Sequence, residues 1–318
     1  MVEFFKWWSY TNIFSKGIIK SVKRGLTLDE INFPERYGKV VGEVGYFMID
    51  QNDNLDFILK VKFRNIYRNP VVIPYVATFL GSDPTTVRVV EVGKNYAKFR
   101  MIDANLTYHT TEICCYLVVE QGRWTLDGGI IVEAGVHETA SVHRQGQDFD
   151  GDWVSFSEPF PSTPVVLHAL QTNNNDSFME THVHGVTADG FYCQQEAGGT
   201  GVSATTEKIG WVALSTGKGT TSGFAYEIDY GSDGSSDGVE DTPHKISFTS
   251  FNKRPILIVK GQSGNGTDGY WARGKVFHYN YAEVYAEEDT VGDTEQSHTD
   301  EVFGWFAIEE GALLIATS

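Results

Sequence analysis

The sequence predicts an all-β protein of three tandem, small antiparallel β-sandwiches, about six strands each, behind a short N-terminal leader. Two recurring landmarks and the composition predict it. The first landmark is an alternating stretch ending in Phe, then an aromatic, then a Pro that opens an apolar run. It reads VKFRNIYRNPVVI from Val61, VSFSEPFPSTPVVL from Val154 and ISFTSFNKRPILI from Ile246. The second is EICCYLVVEQG from Glu112, EKIGWVALSTG from Glu207 and EVFGWFAIEEG from Glu301. Phe63, Phe156 and Phe248 lie 93 and 92 residues apart, and Tyr116, Trp211 and Trp305 lie 95 and 94 apart. Two unrelated motifs on one period mark a duplicated structural unit, at a length far beyond a β-helix coil. Aromatics at 13% and 33 glycines in 318 residues fit strands joined by many turns.

Taken in order, residues 1–40 form the leader, with a basic first segment (Lys6, Lys16, Lys20, Lys23, Arg24 against Glu3) and an amphipathic helical pattern over 13–31. The repeats are expected at 41–135, 136–231 and 232–318. Within each, the first landmark gives two strands, and alternating residues around a Gly, Asn or Asp turn give a hairpin. These hairpins are VRVVEVGKNYAKFRMI from Val87, THVHGVTADGFYCQQE from Thr181 and ARGKVFHYNYAEVYAE from Ala272. The second landmark gives a buried strand, on which Trp211 and Trp305 read as core. Glu112, Glu207 and Glu301 are placed to hydrogen-bond an adjacent turn. GKVVGEVGYFMI, before copy one, matches the strands RWTLDGGIIVEAG and SGFAYEIDYG that lead into copies two and three.

A net charge of −17 disfavours a nucleic-acid partner, which requires a basic surface. No run of 18 apolar residues is present, so no membrane-spanning helix is expected. The N-terminus lacks a signal-peptide pattern. Cys114, Cys115 and Cys193 read as free, buried thiols, the first two on opposite faces of one strand. No nucleophile elbow, His-Glu-x-x-His motif or phosphate-binding glycine loop occurs, so no enzyme is expected.

Copy two, with VSFSEPFPSTPVVLHAL, THVHGVTADGFYCQ and KIGWVALS, resembles an H-type lectin domain, a GalNAc-binding module. Copies one and three carry the same landmarks in register. The resemblance implies a six-stranded sandwich that assembles as a trimer, with sugar sites at subunit boundaries. The family's sugar-contacting Arg falls on His182 and, with a hairpin turn one residue shorter, on Arg88 and Arg273. An Arg fork can hold two hydroxyls in fixed geometry. The alternative for these positions is a solvent-facing side chain paired with a Glu. The family's Trp-His pair has no counterpart, and Thr110, Thr205 and Thr299 stand where the family has Tyr.

No cofactor is required by this reading, but two metal arrangements are open. His182 and His184 lie on one strand face, so three chains around an axis could enclose a transition metal, as in some phage fibre tips. The alternative is an exposed strand pair. Asp148, Asp150 and Asp152 in DFDGD form an oxygen-rich loop suited to Ca2+ or a solvated acidic linker, as do Asp233, Asp237 and Asp241.

Together these features, and the resemblance to modules of viral tail fibres, lead to an expected role. It is a non-enzymatic, homotrimeric virion surface protein assembled in the host cytoplasm. Residues 1–40 would dock on other virion proteins, and the lectin-like modules would bind host glycans. The alternatives are a capsid or tail decoration protein without a ligand, and a cytosolic multivalent lectin.

Overall fold

The computed structural model describes residues 38–317 except 52, 53, 106 and 176, so the leader and its expected helix lie outside the described residues. Copy one supplies β1 (Lys39–Ile49), β2 (Leu59–Lys62), β3 (Pro70–Val76), β4 (Thr85–Gly93), β5 (Tyr96–Asp103) and β6 (Glu112–Glu120). Next come β7 (Gly122–Thr125), β8 (Ile131–Thr139), β9 (Val142–His143), β10 (Asp152–Ser155), β11 (Val165–Leu170), β12 (Glu180–His184), β13 (Gly190–Glu196) and β14 (Glu207–Leu214). The last group is β15 (Gly217–Thr221), β16 (Phe224–Gly231), β17 (His244–Ser247), β18 (Ile256–Gly261), β19 (Trp271–Phe277), β20 (Tyr281–Glu287), β21 (Phe303–Ile308) and β22 (Leu313–Ala316). No helix occurs among the described residues, and the all-β class holds.

Each copy has an inner and an outer sheet. The inner sheets run β22-β1-β6-β3, β7-β8-β14-β11 and β15-β16-β21-β18. The outer sheets run β2-β5-β4, β10-β13-β12 with β9 beside β13, and β17-β20-β19. The stretches leading into copies two and three are hairpins, and their first strands change allegiance. β7 follows β6 directly but pairs with β8, and β15 follows β14 but pairs with β16. β22 follows β21 and pairs antiparallel with β1, bringing Lys39 opposite Ala316. Each copy thus passes a strand to the next, and the last returns it to the first.

The exchange corrects the expected boundaries, because 135/136 cuts through β8 and 231/232 separates β16 from its own sheet. By pairing, the copies are 39–120 with 313–316, 122–214, and 217–308. It also places a trimer-like arrangement inside one chain. β3, β11 and β18 pack on one another at the centre, and contacts recur cyclically: β3 with β14, β11 with β21, β18 with β6.

The apolar runs after Pro70, Pro164 and Pro255 are buried on both faces because each strand faces two cores. Val71, Ile73 and Tyr75, Val165, Leu167 and Ala169, and Ile256 and Ile258 belong to one cluster drawn from all three copies. Val72 and Val76 point instead into the sandwich of copy one, and Val166 and Leu170 into that of copy two. Cys114 and Cys115 divide the same way and are free and buried. The landmark aromatics fill the sandwiches. Phe63 meets Tyr67, Phe156 meets Phe160 and Phe248 meets Phe251 edge-on, at 6.0, 4.8 and 5.6 Å. Tyr116 and Trp211 lie over Gly45 and Gly135, where an added Cβ would come within 2.6 Å and 2.5 Å of the ring.

Polar side chains register the copies against each other. On β11's end, Gln171 crosses to copy one, where Oε1 accepts from Val72 N (2.9 Å) and Nε2 donates to Val72 O (2.8 Å). Gln262 does likewise toward copy two, accepting from Val166 N at 2.8 Å and donating to Pro164 O at 3.5 Å. Both amides need room, and each lies over a glycine: a Cβ at Gly210 or Gly304 would strike Gln171 or Gln262. In copy one Ala77 and Cys115 hold the corresponding two positions, so a short side chain over a thiol replaces a long one over a glycine.

Candidate functional site

The resemblance directs attention to the boundaries between copies, and all three lie within this chain. The second-landmark carboxylates anchor them. Glu112 accepts from Leu80 N (2.8 Å), Gly81 N (2.9 Å) and the Thr78 hydroxyl. Glu207 accepts from Asn175 N (2.7 Å) and the Thr172 hydroxyl (2.5 Å). Glu301 accepts from Asn265 N (2.8 Å), Gly266 N (3.2 Å) and the Ser263 hydroxyl. The turn bonds expected for these residues are present, and Glu112 and Glu207 also meet a side chain of the preceding copy.

Arg88 reaches from copy one to Glu207 of copy two at 2.6 Å, and also donates to Ser177 O and Thr172 O (3.0 and 3.2 Å). Arg273 reaches from copy three to Glu112 of copy one at 2.8 Å. It donates further to Gly81 O and Asp83 O (2.7 and 2.9 Å) and to its own Glu287 (2.5 Å). Both guanidinium groups are buried. Their role as sugar contacts is therefore corrected: the forks are occupied by protein acceptors inside the seams, and water or a hydroxyl does not reach them. The alternative holds in its pairing with Glu and fails in placing these side chains toward solvent.

The third seam uses different chemistry. His182 is buried, its ring stacked on Phe149 (4.0 Å) and edge-on to Tyr270 of copy three (5.7 Å). Tyr270 donates to Ser263 O at 2.9 Å, as Arg88 does to Thr172 O in the first seam. His298 then lies between Glu288 and Glu301. Burial works against its imidazolium, but those carboxylates outweigh it and hold His298 up at about 9. His182 is the converse, held well below the ordinary range by burial and by the neighbouring His184 and His168. His168 joins Thr181 Oγ1 (2.7 Å) to Gly261 O across the seam (3.0 Å), and burial together with Lys260 brings it down to about 4. A buried ion pair, Glu180 with Lys260 at 3.4 Å, completes the contact.

Within this chain neither His182 with His184 nor Asp148, Asp150 and Asp152 form a convergent ligand group among the described residues. His182 is a seam residue, while Nε2 of His184 is within 2.5 Å of Asp150 O, so the pair does not point to a common axis. Asp148 and Asp150 are exposed, and Asp152 is bound to His137 at 2.9 Å. Among the described residues, the acidic and His groups whose ligand atoms converge are Asp83, Asp103 and His109, and Asp233, Asp237 and His244.

A surface feature was missed in the sequence. Trp153 on β10, Tyr192 on β13 and His184 on β12 are cross-strand neighbours on the outer sheet of copy two. Trp153 and Tyr192 are 42% and 41% exposed, values that set them apart from the buried landmark aromatics. Tyr192 stacks on His184 (5.2 Å, 11°) and is edge-on to Trp153 (5.0 Å), whose indole N–H is held by Ser155 Oγ at 2.9 Å. The corresponding ladders elsewhere are Lys60–Lys98–Glu91 in copy one and Lys245–Glu283 in copy three. Aligning the copies column by column reveals this contrast, since charged residues stand where copy two has rings. Beside the row is a polar cleft of about 550 Å3 lined by Ser141, Gln147, Asp148, Asp150 and Gln194. Nε2 of Gln194 has no hydrogen-bond partner.

No helix among the described residues is long and apolar enough to cross a membrane. No protein-family model, curated protein or solved structure matches the chain.

Proposed function

We propose that this chain is a non-enzymatic surface module of a virion that carries its lectin-like trimer internally and attaches to host glycans through copy two. The observation that carries this reading is the exposed Trp153–Tyr192–His184 row beside a polar cleft. A pyranose presents one apolar face and a rim of hydroxyls, so it is held by ring faces together with a few polar groups. Here Trp153 and Tyr192 supply the apolar surface, while the exposed Asp148 and Asp150 carboxylates supply hydrogen-bond acceptors. The sugar contact thereby moves from the seams to the outer sheet. One such row per chain gives single-site affinity, and many copies on a particle would supply avidity.

A second reading is a decoration protein without a ligand, favoured by the burial of Arg88 and Arg273 in contacts between copies. A glycan array probed with the full chain separates the two. Binding that falls at least tenfold in Trp153→Ala, with the thermal midpoint unchanged, is the expected result. A blank array, or binding indifferent to Trp153→Ala and Tyr192→Ala, would favour decoration.

A further inference from the structure

The acidic segment before copy three does not behave as a solvated linker throughout. Asp233 is at its exposed side, but Asp237 is fully buried and His244, at the start of β17, is 6% exposed. Asp237 is fixed by its backbone: its N–H donates to His298 O (2.9 Å) and its carbonyl accepts from Ala286 N (3.0 Å). One carboxylate oxygen, Oδ2, accepts from Glu301 N at 3.2 Å, while Oδ1 has no hydrogen-bond partner. Nδ1 of His244 has none either. It lies 3.7 Å from Oδ2 of Asp233, whose other oxygen is taken by Ser235 N at 3.0 Å. One nitrogen or carboxylate oxygen from each of Asp233, Asp237 and His244 falls within 4.8 Å of the other two.

Buried polar atoms are costly to leave unpaired, so two of them on residues that converge with a third, solvent-facing carboxylate point to a ligand. Among the described residues no side-chain cation is in hydrogen-bond contact with them, and Asp300, whose Oδ1 accepts from Gly234 N at 3.1 Å, adds further negative charge. We infer that His244 Nδ1, Asp237 Oδ1 and Asp233 Oδ2 form a binding site for one divalent transition-metal ion of the zinc type. A four-coordinate ion about 2.0–2.1 Å from each ligand keeps ligand atoms roughly 3.3 Å apart, which the exposed Asp233 can reach by a small closure. Water takes the fourth position from the solvent side. The imidazole decides the class of ion, because Ca2+ takes oxygen ligands whereas zinc takes His nitrogen with carboxylate. The bound ion would tie the segment between copies two and three to β17 of copy three.

The other convergent group, Asp83, Asp103 and His109, carries only half of this signature: His109 Nδ1 also has no hydrogen-bond partner, but the Arg273 guanidinium lies 3.3 Å from its Nε2 and opposes a second cation there. Both Asp103 oxygens have donors, Asn105 N at 2.7 Å and the Thr107 hydroxyl at 2.9 Å, and His109 Nε2 lies 3.1 Å from Glu112.

The test uses the full chain stripped with a chelator and titrated with Zn2+, Co2+ and Ca2+ by calorimetry and visible absorption. One Zn2+ per chain, a tetrahedral Co2+ spectrum and no competition by excess Ca2+ are expected. Asp237→Asn and His244→Gln should each weaken Zn2+ binding at least 100-fold, while Asp148→Asn leaves it unchanged. Asp237→Asn removes a buried charge, so its metal-free thermal midpoint should equal or exceed that of the parent, which shows the variant is folded. Absence of Zn2+ binding, binding that survives both substitutions, or Ca2+ binding of equal strength would overturn the assignment.

Discussion

Arg88 of copy one and Glu207 of copy two meet at 2.6 Å with both side chains almost wholly buried. Neither charge has water to fall back on, so removing one leaves the other stranded. Arg88→Met should destabilise the chain by about 3–5 kcal/mol in chemical denaturation. Adding Glu207→Gln, which keeps one acceptor oxygen for the turn but discharges the carboxyl, should recover more than about 1 kcal/mol of that loss. An additive double variant would show that the pair does not couple the copies.

The two ways of filling the space beside β3, β11 and β18 can be exchanged. Gly304→Ala places a Cβ 1.8 Å from the Gln262 amide oxygen, expelling a side chain that satisfies Val166 N. A loss of about 1–3 kcal/mol is expected from the buried group left unpaired. Gln262→Ala with Gly304→Cys imports the Ala77 and Cys115 arrangement of copy one. It should be more stable than Gly304→Ala alone, as read from thermal midpoints.

Acid should loosen the seam between copies two and three. Burial holds His168 at about 4 when folded, below its ordinary 6.5, so protons bind more tightly to the unfolded chain. Its contribution is therefore present above about pH 6.5 and lost as pH falls toward 4, on the order of 3 kcal/mol. Buried His182, held low in the same way, acts in the same direction. Thermal melts between pH 7.5 and 4.5 should show the decline, and His168→Gln should flatten it.

Ring closure depends on one short strand. Leu314 on β22 is fully buried in the core shared by all copies. Leu314→Ala should cost about 2–5 kcal/mol. Deleting residues 313–318 uncovers the edge of β1, and exposed strand edges pair with other chains. Light scattering should then report dimers or larger species.

Much of this architecture is legible in the sequence, since it depends on local periodicity. Alternation gives the hairpins, the repeated Phe and Trp positions give each sandwich interior, and the recurring Glu gives the turn bonds. Glu43, Glu133 and Glu227 form another recurring set, accepting from Arg64, Ser157 and Thr249 backbone N–H groups, and went unread because their strands looked like connectors. The seam arginines were found by position, yet their direction was not. An Arg bound to a hydroxyl and an Arg buried against a carboxylate occupy the same place in a strand pattern.

The amino-acid order alone determined that three β-units exist and which side chains face inward, because burial on a pleated strand repeats every second residue. Tertiary structure alone decided what covers those faces. Pairing β22 with β1 joins opposite ends of the described chain, and no local pattern names a strand's distant partner. The same long-range packing buries Arg88 and Arg273 between copies while leaving Trp153 and Tyr192 in water, so surface chemistry became visible only once the ring was complete.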